Sequence, residues 1–191
     1  EDLALQFDAD STFNWGCNAA AKVIGHHGLA GHNSHLFFER CDGQGPMLMV
    51  LPDEKTHLEY FVQTSPDKGS LMAYIHSAKV REDAVAAGQS YSFRFVWAAD
   101  RPQARKLLVK YGLMDVQVLP GMTVPEKTDV LLALRGDWAD LRVELPENCE
   151  QLGVTERQEY RIYRLRFGKL GENTVWLRSG ERYADLEFFV T

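Results

Sequence analysis

The sequence is short of cysteine. It has three, Cys17, Cys41 and Cys149, and no CxxC pair. An odd count allows at most one internal disulfide, for which Cys17 and Cys41 are the pair nearer in sequence. A zinc ribbon or thioredoxin-like site lacks its ligands, and buried free thiols are the simpler reading. Clustered cations are lacking as well: 21 Lys and Arg face 27 Asp and Glu, a net charge of -6. Backbone-reading nucleic-acid binders need grouped Lys and Arg to displace counterions, and an acidic chain is repelled by anionic lipid. Neither nucleic acid nor membrane is therefore an expected partner. No apolar run approaches bilayer length; "MLMVL", Met47 to Leu51, is closed off by Pro46 and Pro52. The chain opens on "EDLALQFD" with no basic, apolar leader, which fits a mature product, a processed subunit or an excised domain. The GxSxG, HExxH and P-loop signatures are missing, as are repeats, heptads and low-complexity tracts.

What is present is ordinary globular composition. Hydrophobic residues at 45% and charged residues at 25% set disorder aside. The 191 residues suffice for one large β-rich domain or two small ones. Most segments read as strand. "SHLFFER", "PMLMVLP", "HLEYFVQT" and "SLMAYIHS" are β-prone, with "DEKT" and "SPDKG" as turns. "SYSFRFVWA" places Tyr91, Phe93, Phe95 and Trp97 on one face, the signal of a half-buried strand.

One helix stands out near 101–112. Asp100 is its N-cap and Pro102 lies in its first turn. Ala104, Leu107, Leu108 and Tyr111 form its apolar stripe, and Gly112 follows its end. Its basic face, "RPQARKLLVK", reads as solvated. A weaker helix is expected over Cys17 to Ile24, stopped by Gly25. After Pro120, Gly121 and Pro125 the chain is nearly all short strands: "DVLLALR", "DLRVEL", "EYRIYRLRF", "NTVWLRS" and "YADLEFFV". Segments such as "GDWA" and "PENCEQLG" read as turns between them. "EYRIYRLRF" is mixed on both faces, so a register shift or bulge is expected there. The division falls at 124/125, giving a β-rich domain over 1–124 and a small sandwich over 125–191.

Three stretches, "HHGLAGHNSHLFFER", "YSFRFVWAADRPQARKLLVKYGLMDVQVLPGMTVP" and "ADLEFFVT", together resemble the non-catalytic β-sandwich region of large bacterial carbohydrate-active enzymes. Those enzymes set a galactose-mutarotase-like super-sandwich and an immunoglobulin-like module beside an (α/α) toroid. The resemblance covers about two-thirds of the chain and lies in the order of the elements; it carries no catalytic motif. It implies a mainly β fold: a super-sandwich-like domain with one packing helix, then an immunoglobulin-like sandwich. It implies an accessory role, with a glycan or oligosaccharide and a toroid domain or second subunit as partners, and a secreted or periplasmic location. The start is shorter than a complete super-sandwich and no toroid follows "FFVT". A fragment, a subunit or a stand-alone relative is expected.

The candidate chemistry centres on "VIGHHGLAGHNSH", which holds four of the six histidines. A metal site needs imidazoles at fixed spacing, and this pattern is no established ligand signature. Neither a metal nor a cofactor is expected. Carbohydrate contact uses the same residues differently: an aromatic platform with short polar groups. Asn14 and Trp15 precede the segment, and His26, His27, His32 and Asn33 supply polar groups around glycines that allow close backbone approach. A structural loop with Trp15 in the core is the competing reading. No pair of acids is marked for glycoside hydrolysis; Glu39, Glu59 and Asp100 lie by aromatic-rich strands, where solvated strand ends explain them equally. Trp97, Trp138 and Trp176 read as core or inter-sheet residues, with Trp138 the one placed in a turn where exposure is open. A complete glycoside hydrolase or lyase and an extracellular protein-interaction module without sugar affinity are the alternative functions.

Overall fold

The computed structural model describes residues 3–7, 23–28, 31–40, 43–53, 58–65, 70–77 and 92–191. Asn14, Trp15, Cys17 and Cys41 lie outside them, as do 17–22 of the expected weak helix. The described chain is mainly β with one packing helix. It forms two compact units, Glu1–Ala104 and Arg105–Thr191.

The first unit holds two antiparallel sheets. One orders β1 (Leu3–Phe7), β6 (Ser70–Ser77) and β5 (Leu58–Ser65) as β1-β6-β5. The other orders β2 (Val23–Gly28), β3 (His35–Arg40), β4 (Met47–Pro52) and β7 (Phe93–Ala98) as β2-β3-β4-β7. In β4, Met47, Met49, Val50, Leu51 and Pro52 are all buried, as a run bounded by proline suggests. Two sequence expectations fail here. Val23 and Ile24 belong to strand β2, not to a helix, and β2 runs through Gly25 to Gly28 because each of its residues pairs with β3. The aromatic face of β7 is not half-buried throughout. Phe95 is 46% and Trp97 64% exposed, so that face is largely open to solvent.

Helix α1 (Arg101–Lys110) begins and ends as its sequence dictates. The Gln103 amide donates to Asp100 Oδ1 at 2.7 Å, and the Gln103 side chain accepts from the Ala99 amide. These reciprocal bonds satisfy donors that the helix start leaves orphaned. At the other end Gly112 takes φ 79°, the Leu113 amide bonds Leu108 O, and the Gly112 amide bonds Val109 O. This is the Schellman pattern, with Leu113 and Leu108 both buried as its apolar contact.

The second unit is a β-sandwich. One sheet orders β12 (Cys149–Arg157), β13 (Tyr160–Phe167), β10 (Asp129–Arg135) and β8 (Asp115–Leu119). The other orders β11 (Arg142–Glu144), β14 (Gly171–Ser179), β15 (Arg182–Val190) and β9 (Thr123–Val124). Alternation decides the inner faces. Val130, Leu132, Leu165 and Phe167 from one sheet meet Val175, Leu177, Leu186 and Phe188 from the other, all at most 3% exposed. The Phe167 and Phe188 rings lie 4.8 Å apart across the interface. Residues 115–124 are sewn into this unit: β8 pairs with β10, and β9 runs parallel to β15, with the Thr191 amide bonding Val124 O.

Two further expectations need correction. "PENCEQLG" is not merely a turn; from Cys149 it is strand β12. The expected irregularity lies in β12, between Gln151 and Gly153, rather than in β13, whose register against β10 is unbroken. Leu152 is the extra residue of the bulge, and Gly153 pairs with Arg164 in the strand.

Candidate functional site

The histidine segment folds as strand, turn and strand. His26 pairs with Phe37 and His27 with Leu36, so they occupy successive positions of β2 rather than a loop. Gly31–Asn33 form a single 3-10 turn, with Gly31 at φ 68° and the Ser34 amide donating to Gly31 O at 3.0 Å. Asn33 and Ser34 are fully buried, and His32 is half-buried. His35 is buried too. Its Nδ1 donates to Asn33 O at 2.8 Å, and its ring meets Phe37 edge-on at 4.8 Å. The turn is thus a closed structural corner, locked by a histidine that sequence reasoning did not single out. The pairing of a following histidine with a buried asparagine is the signal for it. No three His, Cys, Asp or Glu side chains converge among the described residues.

Two of the three carboxylates noted in the sequence, Glu39 and Asp100, are engaged; the side chain of Glu59, on β5, lies outside the described residues. Glu39 accepts from Arg101 Nε and Nη2, and this pairing holds the Arg101 guanidinium above its usual pKa. Asp100 is the helix cap described above. The two line an open cavity of about 470 Å³ with Arg40 and Arg101. Arg101 is paired with Glu39 yet still 69% exposed, and Arg105, Lys106 and Lys110 are exposed too, so the basic helical face is solvated as its sequence suggests.

The second unit contains a polar cluster that sequence reasoning missed. Asp115, 2% exposed, accepts from Arg135 Nη2 at 2.8 Å and from the Tyr160 hydroxyl at 2.6 Å. Gln117 donates to the Tyr160 oxygen at 2.8 Å, and Arg105 Nε stands 4.0 Å from Asp115. The Arg135 guanidinium lies over the Tyr160 ring at 4.8 Å. Burial, then the bond to Asp115, raises the Tyr160 pKa. The register explains the grouping: Asp115 and Arg135 are direct partners across β8 and β10. A buried carboxylate whose oxygens are taken by arginine and tyrosine is fixed in place, which makes it a structural pin.

Of the tryptophans expected in the core, Trp138 is buried, while Trp97 and Trp176 are not. Trp138, in a loop, is 4% exposed: its Nε1 donates to Gly112 O at 3.1 Å, and Arg182 covers its ring at 4.5 Å. Trp176 is not in the sandwich core; it alternates outward from Val175 and Leu177 and lies beneath Arg178 at 4.9 Å. Cys149 is a free thiol, pushed up to about 11 by burial.

No protein-family model matches the sequence, and no curated protein is significantly similar to it. A solved polysaccharide lyase shares the fold over all of this chain, at a TM-score of 0.65 and 12% identity. This chain spans 29% of that protein's length. Two structures of the surface-layer protein SbsC, domains 4–9 and domains 5–6, align over 90% and 100% of the chain at 14% and 13% identity. The alignments cover 32% and 100% of those chains, and their TM-score of 0.30 does not support a shared fold.

Proposed function

We propose that this chain is an accessory β-sandwich module of a carbohydrate-active enzyme, placing a strand–turn segment beside a glycan site and buttressing a catalytic (α/α) toroid. The supporting observation is the fold match, which runs over the whole chain yet over less than a third of a polysaccharide lyase. In this reading the first unit, Glu1–Ala104, is the super-sandwich-like part and the second, Arg105–Thr191, the immunoglobulin-like part, and the module is secreted or periplasmic. That division is earlier than the 124/125 expected, because β8 and β9 pair into the second unit. Trp15 supplies the aromatic platform, with Asn14, His26, His27 and His32 as hydrogen-bonding groups. Asn33, fully buried, keeps the turn in shape rather than touching the sugar. Titration calorimetry of the chain against a panel of oligosaccharides tests this. A saturable heat that disappears in Trp15→Ala is expected; no saturable heat with any glycan leaves the sugar contact without support.

A further inference from the structure

The second unit has an open cleft of about 680 Å³, a volume within the range of small-molecule sites. Two segments face each other across it: residues 136–141, between β10 and β11, and the tip of the β12–β13 hairpin. Its floor is apolar, from Met114, Leu134 and the buried Trp138. Its rim is polar.

Both walls are built in backbone conformations that ordinary side chains avoid. The hairpin closes through Gln158 and Glu159, at φ 50° and 68°. A two-residue turn with both φ positive favours Asn-Gly, yet here it carries two long polar side chains. The neighbouring β14–β15 turn uses Gly180 at φ 59° instead. On the facing wall Asp140 takes φ 51°. Gly136 takes φ 154°, and a Cβ there would meet Met114 Sδ at 2.7 Å. Of the four non-glycine residues with left-handed φ among the described residues, three line this cleft. Two of the three belong to the two-residue hairpin turn, where positive φ is the usual geometry, so the cavity and its charges carry the ligand reading.

The charges narrow the ligand class. Asp137, Asp140, Glu156 and Glu159 outnumber Arg157 and Arg161. Arg161 is taken by Glu156 at 3.2 Å, and Glu159 stands 3.7 Å from Arg135. The Asp137 and Asp140 carboxylates and the Arg157 guanidinium make no hydrogen bond or ion pair among the described residues, so the unpaired charge of the lining is negative by one. Such a rim seeks a donor-rich ligand without negative charge of its own. We infer that this cleft binds an uncharged oligosaccharide through its hydroxyls and turns away uronate-rich or sulfated chains. The inference rests on the carbohydrate reading above but names a different site from the histidine segment.

Amide NMR shifts of the chain, titrated with maltohexaose, xylohexaose, cellohexaose and a matched oligogalacturonate, test it. Saturable shifts at 136–141 and 156–161 with at least one neutral hexasaccharide are expected, with the uronate at least about tenfold weaker. Asp137→Asn/Asp140→Asn keeps the volume and, at 140, a residue tolerant of left-handed φ. It should weaken the neutral sugar by about tenfold, the loss of a charge-assisted bond, and narrow the gap to the uronate. Silence of these segments with all three neutral sugars overturns the cleft, as does equal or tighter uronate binding. If Trp15→Ala removes glycan binding while these segments stay silent, the cleft falls and the accessory reading stands. If the cleft binds but the chain itself cleaves glycan, the reverse holds.

Discussion

Trp138 and Trp97 divide the two units. In the second unit a loop tryptophan is buried, because its indole N–H caps a helix-end carbonyl and an arginine covers its ring. In the first, a strand tryptophan is 64% exposed, with Phe95 of the same face 46% exposed. Alternation along a strand says which residues share a face; it does not say whether anything covers that face. The sandwich supplies a second sheet for its apolar faces. The Phe95 and Trp97 face of β7 is open to solvent.

The contrast can be broken most forcefully in the sandwich core. Phe188, 1% exposed against Phe167, should cost about 3–5 kcal/mol when changed to Ala, read as a lowered urea midpoint. A cost below about 1 kcal/mol would mean that the sheets do not share a dry core. Asp115→Ala should cost about 3 kcal/mol, since it strands the Arg135 guanidinium in the interior. Pairing it with Arg135→Met should recover much of that loss; equal damage in the double variant would show that the pin is not the ion pair itself.

A weaker effect is expected at Asp129, which bridges Arg164 and Arg166 on the outer face of the same sheet. Hydrogen bonds from Arg164 and then Arg166 hold its carboxyl below the ordinary range. A depressed carboxyl stabilises the fold above its unfolded pKa and loses that contribution as pH falls through the folded value. The difference in melting temperature between the native chain and Asp129→Asn should therefore be small at pH 7 and vanish in acid. A difference that grows in acid contradicts the assignment. Smallest of all, Trp97→Ala should change stability by no more than about 0.5 kcal/mol, as for a surface position. A loss above about 2 kcal/mol would show that this face is covered, and would remove the contrast.

Much of the fold was legible from residue pattern. The strands "DVLLALR" and "YADLEFFV" alternate cleanly, and α1 carries its cap, stripe and terminal glycine in order. What failed has a physical cause in each case. The glycines of β2 and β12 read as breakers on propensity alone, but pairing with the strands that follow, β3 and β13, holds them extended, with Leu152 as the bulged residue before Gly153. Leu3–Phe7 is too short to announce itself without β6 beside it. The histidine segment could be located but not shaped, since the buried Asn33 and His35 close it through tertiary burial. The cleft was invisible: its hairpin tip is Gln158-Glu159, which carries neither the asparagine nor the glycine that flags such a turn.

The accessory role is tested most directly by incubating the purified 191-residue chain with neutral and acidic polysaccharides and measuring new reducing ends and the 235 nm absorbance of unsaturated uronates, on the order of the assay blank being the reference. The account predicts no release above that blank by the chain alone. Sustained turnover that scales with its concentration would contradict it and make this chain an enzyme in its own right.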